Sequence, residues 1–314
     1  MLECVWSGRE ASTINKYCLS LRKVIDFIKS KNYSLILPFT AAFAAEYLTH
    51  IRLESGTKGA IESALACLKW IHSFVPGINQ WNNPMNDEFL SKIISSARRT
   101  IASVKNQKRP IEGGMIKKMI QLSDLNDSSK LRNCLLMGLS FSLLLRHDEV
   151  THINLSHISE IAGGYKILIP KSKTDKYRNG SHVFLKKCEG DFSISGLLEK
   201  YLSRFNLSLG DNHFLFFPMT SVKGSSNRIL SYAKCRDIVK EMITLIELNP
   251  SDYGTHSCRS GGATEMSVNV TEHELLTSGR WKDPRSIRSY VEMSDSSRLS
   301  LAGLLQNSIS DALS

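Results

Sequence analysis

The chain lacks any run of about 18 apolar residues, so the sequence offers no helix able to cross a bilayer. It has no pair of cysteines at CxxC spacing. Its seven cysteines (Cys4, Cys18, Cys67, Cys134, Cys188, Cys235 and Cys258) are odd in number and widely scattered. That distribution argues against a disulfide framework and against a thiolate zinc site. Most of them fall inside apolar helical patterns, where a free cysteine acts as a small hydrophobe, so the expected setting is reducing and intracellular. The first ten residues, MLECVWSGRE, lack the charged-then-apolar layout of a signal peptide. Internal repeats and low-complexity tracts are also missing. Carboxylates are too dispersed to build a metal-dependent nuclease: only Asp252 and Glu265 lie close to His256 in sequence, so no metal and no cofactor are expected.

What is present is a chain of 314 residues, 42% apolar, long enough to bury its own core and to form two domains. Forty Lys and Arg against thirty Asp and Glu leave a formal charge of +10. An excess of that size favours an anionic partner, of which nucleic acid is the commonest. Residues 1–107 carry 13 basic and 8 acidic side chains, and residues 108–314 carry 27 and 22. A chain basic in both parts fits a clamp holding one polyanion from two sides better than a single basic tail.

The first part reads as an all-α bundle, residues 1–107. Apolar residues at helical spacing predict helices over 12–30 (with Ser12 or Thr13 as N-cap), 41–51, 58–75 and 87–104. The last runs into a basic stretch, Arg98, Arg99, Lys105, Lys108 and Arg109, that ends at Pro110. This is either a solvated helix face and linker or a hinge lying along a phosphate backbone. Beyond it, residues 108–314 read as a mixed domain. Helices are predicted over 115–122, 128–145, 194–205 and 233–247. Two β-rich runs, 165–170 and 182–185, flank the charged tip KSKTDKYRNGS and predict a hairpin. Three short helices fill 256–290, and an amphipathic one covers 297–309.

Four stretches carry candidate chemistry. SLLLRHDEV sets Arg146 and Glu149 at the end of an apolar helix, where a charged cluster could equally serve only the helix dipole. Gly254-Thr255-His256-Ser257-Cys258-Arg259-Ser260-Gly261-Gly262 puts His256 and Arg259 on one helix face, with Thr255 as a candidate cap. A histidine and an arginine at a helix N-terminus suit a phosphate, and the two glycines admit a close backbone or strand. Thr271 with Glu274 forms a capping box for a helix that stops at Gly279, and Asp283-Pro284 starts the next. Trp281 and Tyr290 then sit among Arg280, Lys282, Arg285 and Arg288, a surface better suited to nucleic acid than to a dry core.

In chain order, Arg146 with Glu149, Lys173 in the hairpin, His256-x-x-Arg259, Trp281 and Tyr290 resemble the tyrosine recombinase (phage integrase) superfamily. The tryptophan in the second-histidine position resembles the branch of Cre-like and eukaryotic mobile-element recombinases. The resemblance covers about residues 110–295; the first hundred residues match the family's core-binding domain only in helical character and place. It implies a mainly α fold with a small antiparallel β-sheet, organised as a two-domain C-shaped clamp: a core-binding domain at 1–107 and a catalytic domain at 108–314.

The implied activity is site-specific cleavage and rejoining of duplex DNA. Arg146 and Arg259 would fork onto the non-bridging phosphate oxygens, and the Trp281 indole N–H would donate to the same oxygens. A phenol is mostly protonated at neutral pH, its reference pKa being about 10, so Tyr290 would need His256 to accept its proton. Lys173, chosen over Lys171 and Lys176 because its SKTD context matches the family's pattern, would protonate the leaving 5′-oxygen. Lys171, Lys176, Arg280 and Arg288, with the linker arginines and lysines, would contact DNA. The resemblance further implies a homotetramer on DNA, monomer or dimer when free, and a nuclear site if the source is eukaryotic; the amphipathic 299–305 stretch either swaps to a neighbouring protomer or packs on its own domain. Two other readings use the same side chains: a catalytically silent DNA-binding protein, and a type IB topoisomerase-like enzyme that relaxes DNA.

Overall fold

The computed structural model describes residues 11–101, 108–170, 180–219 and 228–291, together with Leu299. The chain folds as two compact units, Met1–Lys105 and Asn106–Ser314.

The first unit holds helices α1 (Ala11–Ser30), α2 (Ala41–Ser55), α3 (Lys58–His72) and α4 (Glu88–Thr100). Ser12 and Thr13, the candidate caps of α1, lie inside it. Thr40 caps α2 by accepting the Phe43 N–H at 3.1 Å, and Gly56 closes that helix in the left-handed region at φ 59°. Thr57 then caps α3 through the Ala60 N–H. The helices bury Val24, Phe27, Tyr47, Leu48, Ile61, Leu68 and Leu90 in one core. His72 is fully buried among them as a neutral imidazole that works at both ends. Its Nδ1–H donates to the Leu68 carbonyl at 2.7 Å while Nε2 accepts the Phe39 N–H at 2.9 Å.

The second unit is built around α6 (Ser128–Ser142), every residue of which from Leu131 to Ser140 is buried. Asp127 caps its start by accepting the Ser129 and Lys130 N–H groups. Against it pack α5 (Gly113–Leu122), which precedes it, the short α7 (His147–Thr151), and then α8 (Ile194–Phe205), α9 (Tyr232–Leu245) and α10 (Ser257–Ser267). A three-stranded antiparallel sheet in the order β1 (Ile158–Ile161), β2 (Gly164–Ile169), β3 (Ser181–Lys186) completes the layer. Tyr165 pairs with Leu185 and Ile167 with Val183, so alternate residues face the core. The sequence pattern predicts only β2 and β3. β1 escapes it because just one of its four residues is buried, which erases the period of two. Gly163, at φ 80°, makes the tight β1–β2 turn possible.

Two further elements end the described chain: α11 (Glu272–Gly279) and a 3-10 turn over Pro284–Ser289. The expected helix 297–309 lies, apart from Leu299, outside the described residues, as do Cys4, Lys105 and the hairpin tip bearing Lys171, Lys173 and Lys176. No helix among the described residues is long and apolar enough to cross a membrane. Cys67, Cys134, Cys235 and Cys258 are buried thiols, and burial pushes Cys258 up to about 12, where thiolate chemistry is suppressed.

Candidate active site

Helix α6 ends three residues earlier than its apolar pattern predicts. Leu144 turns into the left-handed region at φ 49°, so the Leu145 N–H returns to the Ser140 carbonyl and the carbonyls of Leu143 and Leu144 remain for outside donors. Arg146 therefore does not sit on a helix C-terminus, as expected from sequence, but serves as the N-cap of α7. One turn on, Glu149 reaches back: its carboxylate accepts the Arg146 N–H at 2.9 Å and the Arg146 guanidinium at 2.6 Å.

Helix α10 carries the second arginine. Thr255, the candidate cap, does not cap it; His256 occupies the N-cap position, and Ser257 Oγ accepts the Gly254 N–H instead. Gly261 and Gly262 let the helix press against other backbone. A Cβ on Gly261 would lie 1.7 Å from the Ile111 carbonyl oxygen, and one on Gly262 2.4 Å from that of Phe141. That approach sets Arg259, 0% exposed, beneath the Leu143–Leu144 turn. Its Nη1 donates to the Leu144 carbonyl and its Nη2 to the Gly279 carbonyl, while Nη1 also stands 3.7 Å from Glu149 Oε2.

The third contribution comes from the strap after α11. Thr271 and Glu274 close the expected capping box, and Asp283 accepts the Arg285 N–H to start the 3-10 turn. The left-handed residue that ends α11 is Arg280 rather than Gly279. Gly279 has another use: a Cβ there would lie 1.7 Å from Trp281 Cζ3, so only glycine lets the indole fold back over it. Trp281 is buried with Leu144, Ala263, Leu275 and Ile287, and Tyr290 packs against that cluster. Ser260 and Thr264, one and two turns beyond His256, donate to the Tyr290 carbonyl at 2.6 and 3.3 Å and tether it.

Together these elements converge. The Arg259 guanidinium lies 4.4 Å from the Trp281 ring and 5.2 Å from the Tyr290 ring. Trp281 and Tyr290 are 5.3 Å apart, and the His256 ring stands 6.4 Å from Tyr290 and 6.3 Å from His147. Burial pushes the Arg259 guanidinium down to about 9, helped by its neighbour Arg146 and opposed by Glu149; it stays charged at neutral pH. Burial would raise the Glu149 carboxyl, but Arg280, the Arg146 N–H and the Arg146 and Arg259 guanidiniums outweigh it and hold it below the usual carboxylate range. Burial likewise pushes the His147 imidazole below its ordinary value, so it is neutral at pH 7. One carboxylate among three guanidiniums leaves net positive charge beside a phenol and an imidazole. Arg259 Nε and Trp281 Nε1 are buried donors with no hydrogen-bond partner among the described residues, an arrangement that favours an anion with several acceptor oxygens.

Within the second unit, not every expected contact joins this cluster: Lys108, Arg109 and Arg288 are exposed, Lys108 donating to the Ser251 carbonyl. In the first unit Arg98 and Arg99 are exposed, Arg98 donating to Glu62 at 2.7 Å. Arg280, expected on the outer surface, points inward to Glu149. The inward turn of Arg280 and the tether from Ser260 and Thr264 escape the sequence reading, although the spacing of His256, Ser260 and Thr264 already puts them on one helix face. Among the described residues no group of three or more His, Cys, Asp or Glu could hold a metal ion.

No family model matches the chain. It is 25% identical over 221 residues to the integrase/recombinase xerD homolog of Selenomonas ruminantium, covering 69% of this chain and 63% of that protein. It is 24% identical over 189 residues to the recombinase cre of Escherichia phage P1, covering 56% of this chain and 54% of that protein. The matched segments thus span less than two thirds of either relative's length. Among solved structures, the XerH site-specific recombinase bound to palindromic difH substrate superposes with a TM-score of 0.67 at 18% identity, covering 94% of this chain and 80% of that one. The Tn1549 transposon integrase in complex with transposon right-end DNA gives 0.61 at 11% identity, covering 92% and 93%. A mainly helical fold with a small antiparallel sheet is therefore shared with these solved structures, and in sequence the chain is similar to the two recombinases.

Proposed function

We propose that this chain is a site-specific DNA recombinase of the mobile-element type, with Tyr290 as its nucleophile. The observation that carries the reading is the meeting of Arg259, Trp281, Tyr290 and His256, with Arg146 joined to Arg259 through their shared Glu149. In the proposed step the Tyr290 hydroxyl loses its proton to His256 and attacks the phosphorus. The bond from phosphorus to the 5′-oxygen breaks, Lys173 supplies the proton that this oxygen takes up, and the products are a 3′-phosphotyrosyl link and a free 5′-hydroxyl. Arg146, Arg259 and the Trp281 N–H neutralise the charge that builds on the non-bridging oxygens. Because one phosphodiester is exchanged for another, a second 5′-hydroxyl can attack the phosphotyrosyl phosphorus, release the Tyr290 oxygen and reverse the step without a nucleotide cofactor.

Exposed Arg98, Arg99, Lys108, Arg109 and Arg288, with Lys105, Lys171 and Lys176, are proposed as backbone contacts, which position a duplex without reading its sequence. Assembly as a homotetramer on DNA, through residues 299–305, belongs to the same proposal. The test is covalent capture: the purified chain is incubated with a pool of randomised nicked duplexes, denatured, and the protein-bound DNA is sequenced. Recovery of one sequence family, linked at Tyr290 and lost in Tyr290→Phe while duplex binding persists, is expected. An adduct that survives Tyr290→Phe, or none with the unaltered chain, overturns the proposal.

A further inference from the structure

We infer that Arg280 is a positioning residue of the proposed cleavage site, acting on Trp281 and the two phosphate-facing arginines through Glu149 and the Leu143–Leu144 turn, and not as a contact to DNA. The inference rests on reading the cluster as a phosphate site. Arg280 ends α11 at φ 56°, a conformation that favours glycine, so the side chain must be kept for something other than the backbone. Only 8% of that side chain is exposed. Its two terminal nitrogens meet four oxygens: Nη1 those of Leu143 at 3.3 Å and Ser278 at 3.2 Å, Nη2 those of Leu144 at 3.1 Å and Glu149 at 2.8 Å. With both terminal nitrogens engaged, only the buried Nε is left without a partner among the described residues, and one donor cannot make the two-pronged grip of a guanidinium on a phosphate.

These acceptors belong to three segments: the Leu143–Leu144 turn, Glu149 and the end of α11. The Leu144 carbonyl also receives Arg259, so both guanidiniums grip one oxygen. The Glu149 carboxylate also receives Arg146. Arg280 is covalently next to Trp281, whose backbone N–H returns to the Leu276 carbonyl at 2.9 Å. It therefore binds the end of α6, the start of α7 and the strap bearing Trp281 into one rigid corner. A lysine has the charge but a single nitrogen, and cannot span that set of acceptors.

The experiment uses the full chain and the nicked duplex recovered by covalent capture. Single-turnover adduct formation is measured at saturating DNA, with the dissociation constant measured separately, for Arg280→Gly and Arg280→Lys. Arg280→Gly suits the backbone and removes the fork; its rate is expected to fall about 100-fold, as misplaced groups do, with DNA affinity held within about twofold. Arg280→Lys is expected to fall by at least about tenfold at the same affinity. If Arg280→Gly melts early, Arg280→Lys decides. Wild-type rates in a folded variant overturn the inference, and so does a loss confined to affinity, which would make Arg280 a DNA contact. Absence of any adduct with the unaltered chain instead overturns the functional proposal beneath it.

Discussion

Replacing Glu149 by alanine is the sharpest test of how the site is held. The carboxylate is 4% exposed and receives Arg146 at 2.6 Å and Arg280 at 2.8 Å, with Arg259 at 3.7 Å. Removing it leaves three guanidiniums facing one another in a buried corner. Breaking a buried pair in this way typically costs about 3–5 kcal/mol, because the remaining charge is desolvated and uncompensated. For a unit of roughly 200 residues, each kcal/mol lowers the melting temperature by about 2–4 °C, so a fall of about 6–20 °C is expected. Circular dichroism melts at neutral pH would measure it. A second reading comes from pH. The folded Glu149 carboxyl lies below its ordinary value of 4.5, so it binds its proton less tightly than the unfolded chain does. Its stabilisation is therefore present above that ordinary value and is lost as pH falls through the folded one. Glu149→Gln should flatten the acid limb of the stability curve. A Glu149→Ala chain that melts within about 2 °C of the unaltered one at neutral pH would refute the argument that this carboxylate neutralises the corner.

Three other perturbations follow, the first from the proposed step and the other two from particular contacts. Lys173→Ala should slow adduct formation on an ordinary duplex but not on one whose 5′-bridging oxygen is sulfur, since a thiol of pKa about 8.5 leaves without a proton; equal slowing on both would remove Lys173 as the acid. Gly279→Ala places a methyl 1.7 Å from Trp281 Cζ3, so the indole must shift, at about 1–3 kcal/mol and with a slower adduct-forming step; unaltered melting and rate would count against that packing. In the first unit, His72→Ala leaves the Phe39 N–H without its acceptor and opens a hole in the core, and a loss of about 2–4 kcal/mol in urea unfolding is expected. A loss below about 0.5 kcal/mol would show that neither bond matters.

Much of this was written locally. The period of 3.6 marks α8 at about 194–205, and the Thr271–Glu274 box and the Asp283-Pro284 start are caps that short-range chemistry alone requires. Elements failed to show where the local signal is weak or misleading. β1 buries one side chain and so has no alternation. The apolar pattern of α6 runs past its true end, because Leu143, Leu144 and Leu145 are buried by neighbouring elements and not by helical continuation. Thr255 had the right chemistry for a cap but the wrong place, one residue early.

The order and spacing of Arg146, His256, Arg259, Trp281 and Tyr290 carry the resemblance from which the proposed chemistry comes, because a motif of side-chain types is legible whatever backbone holds it. Which of the surrounding arginines face outward could not be read in the same way. Arg280 and Arg288 look alike in sequence, yet one is folded onto a carboxylate 131 positions away and the other is exposed. Charge and helical period are properties of neighbours along the chain; the pairing of three guanidiniums with Glu149 depends on backbone approaches at Gly261, Gly262 and Gly279, and those exist only once distant segments have packed.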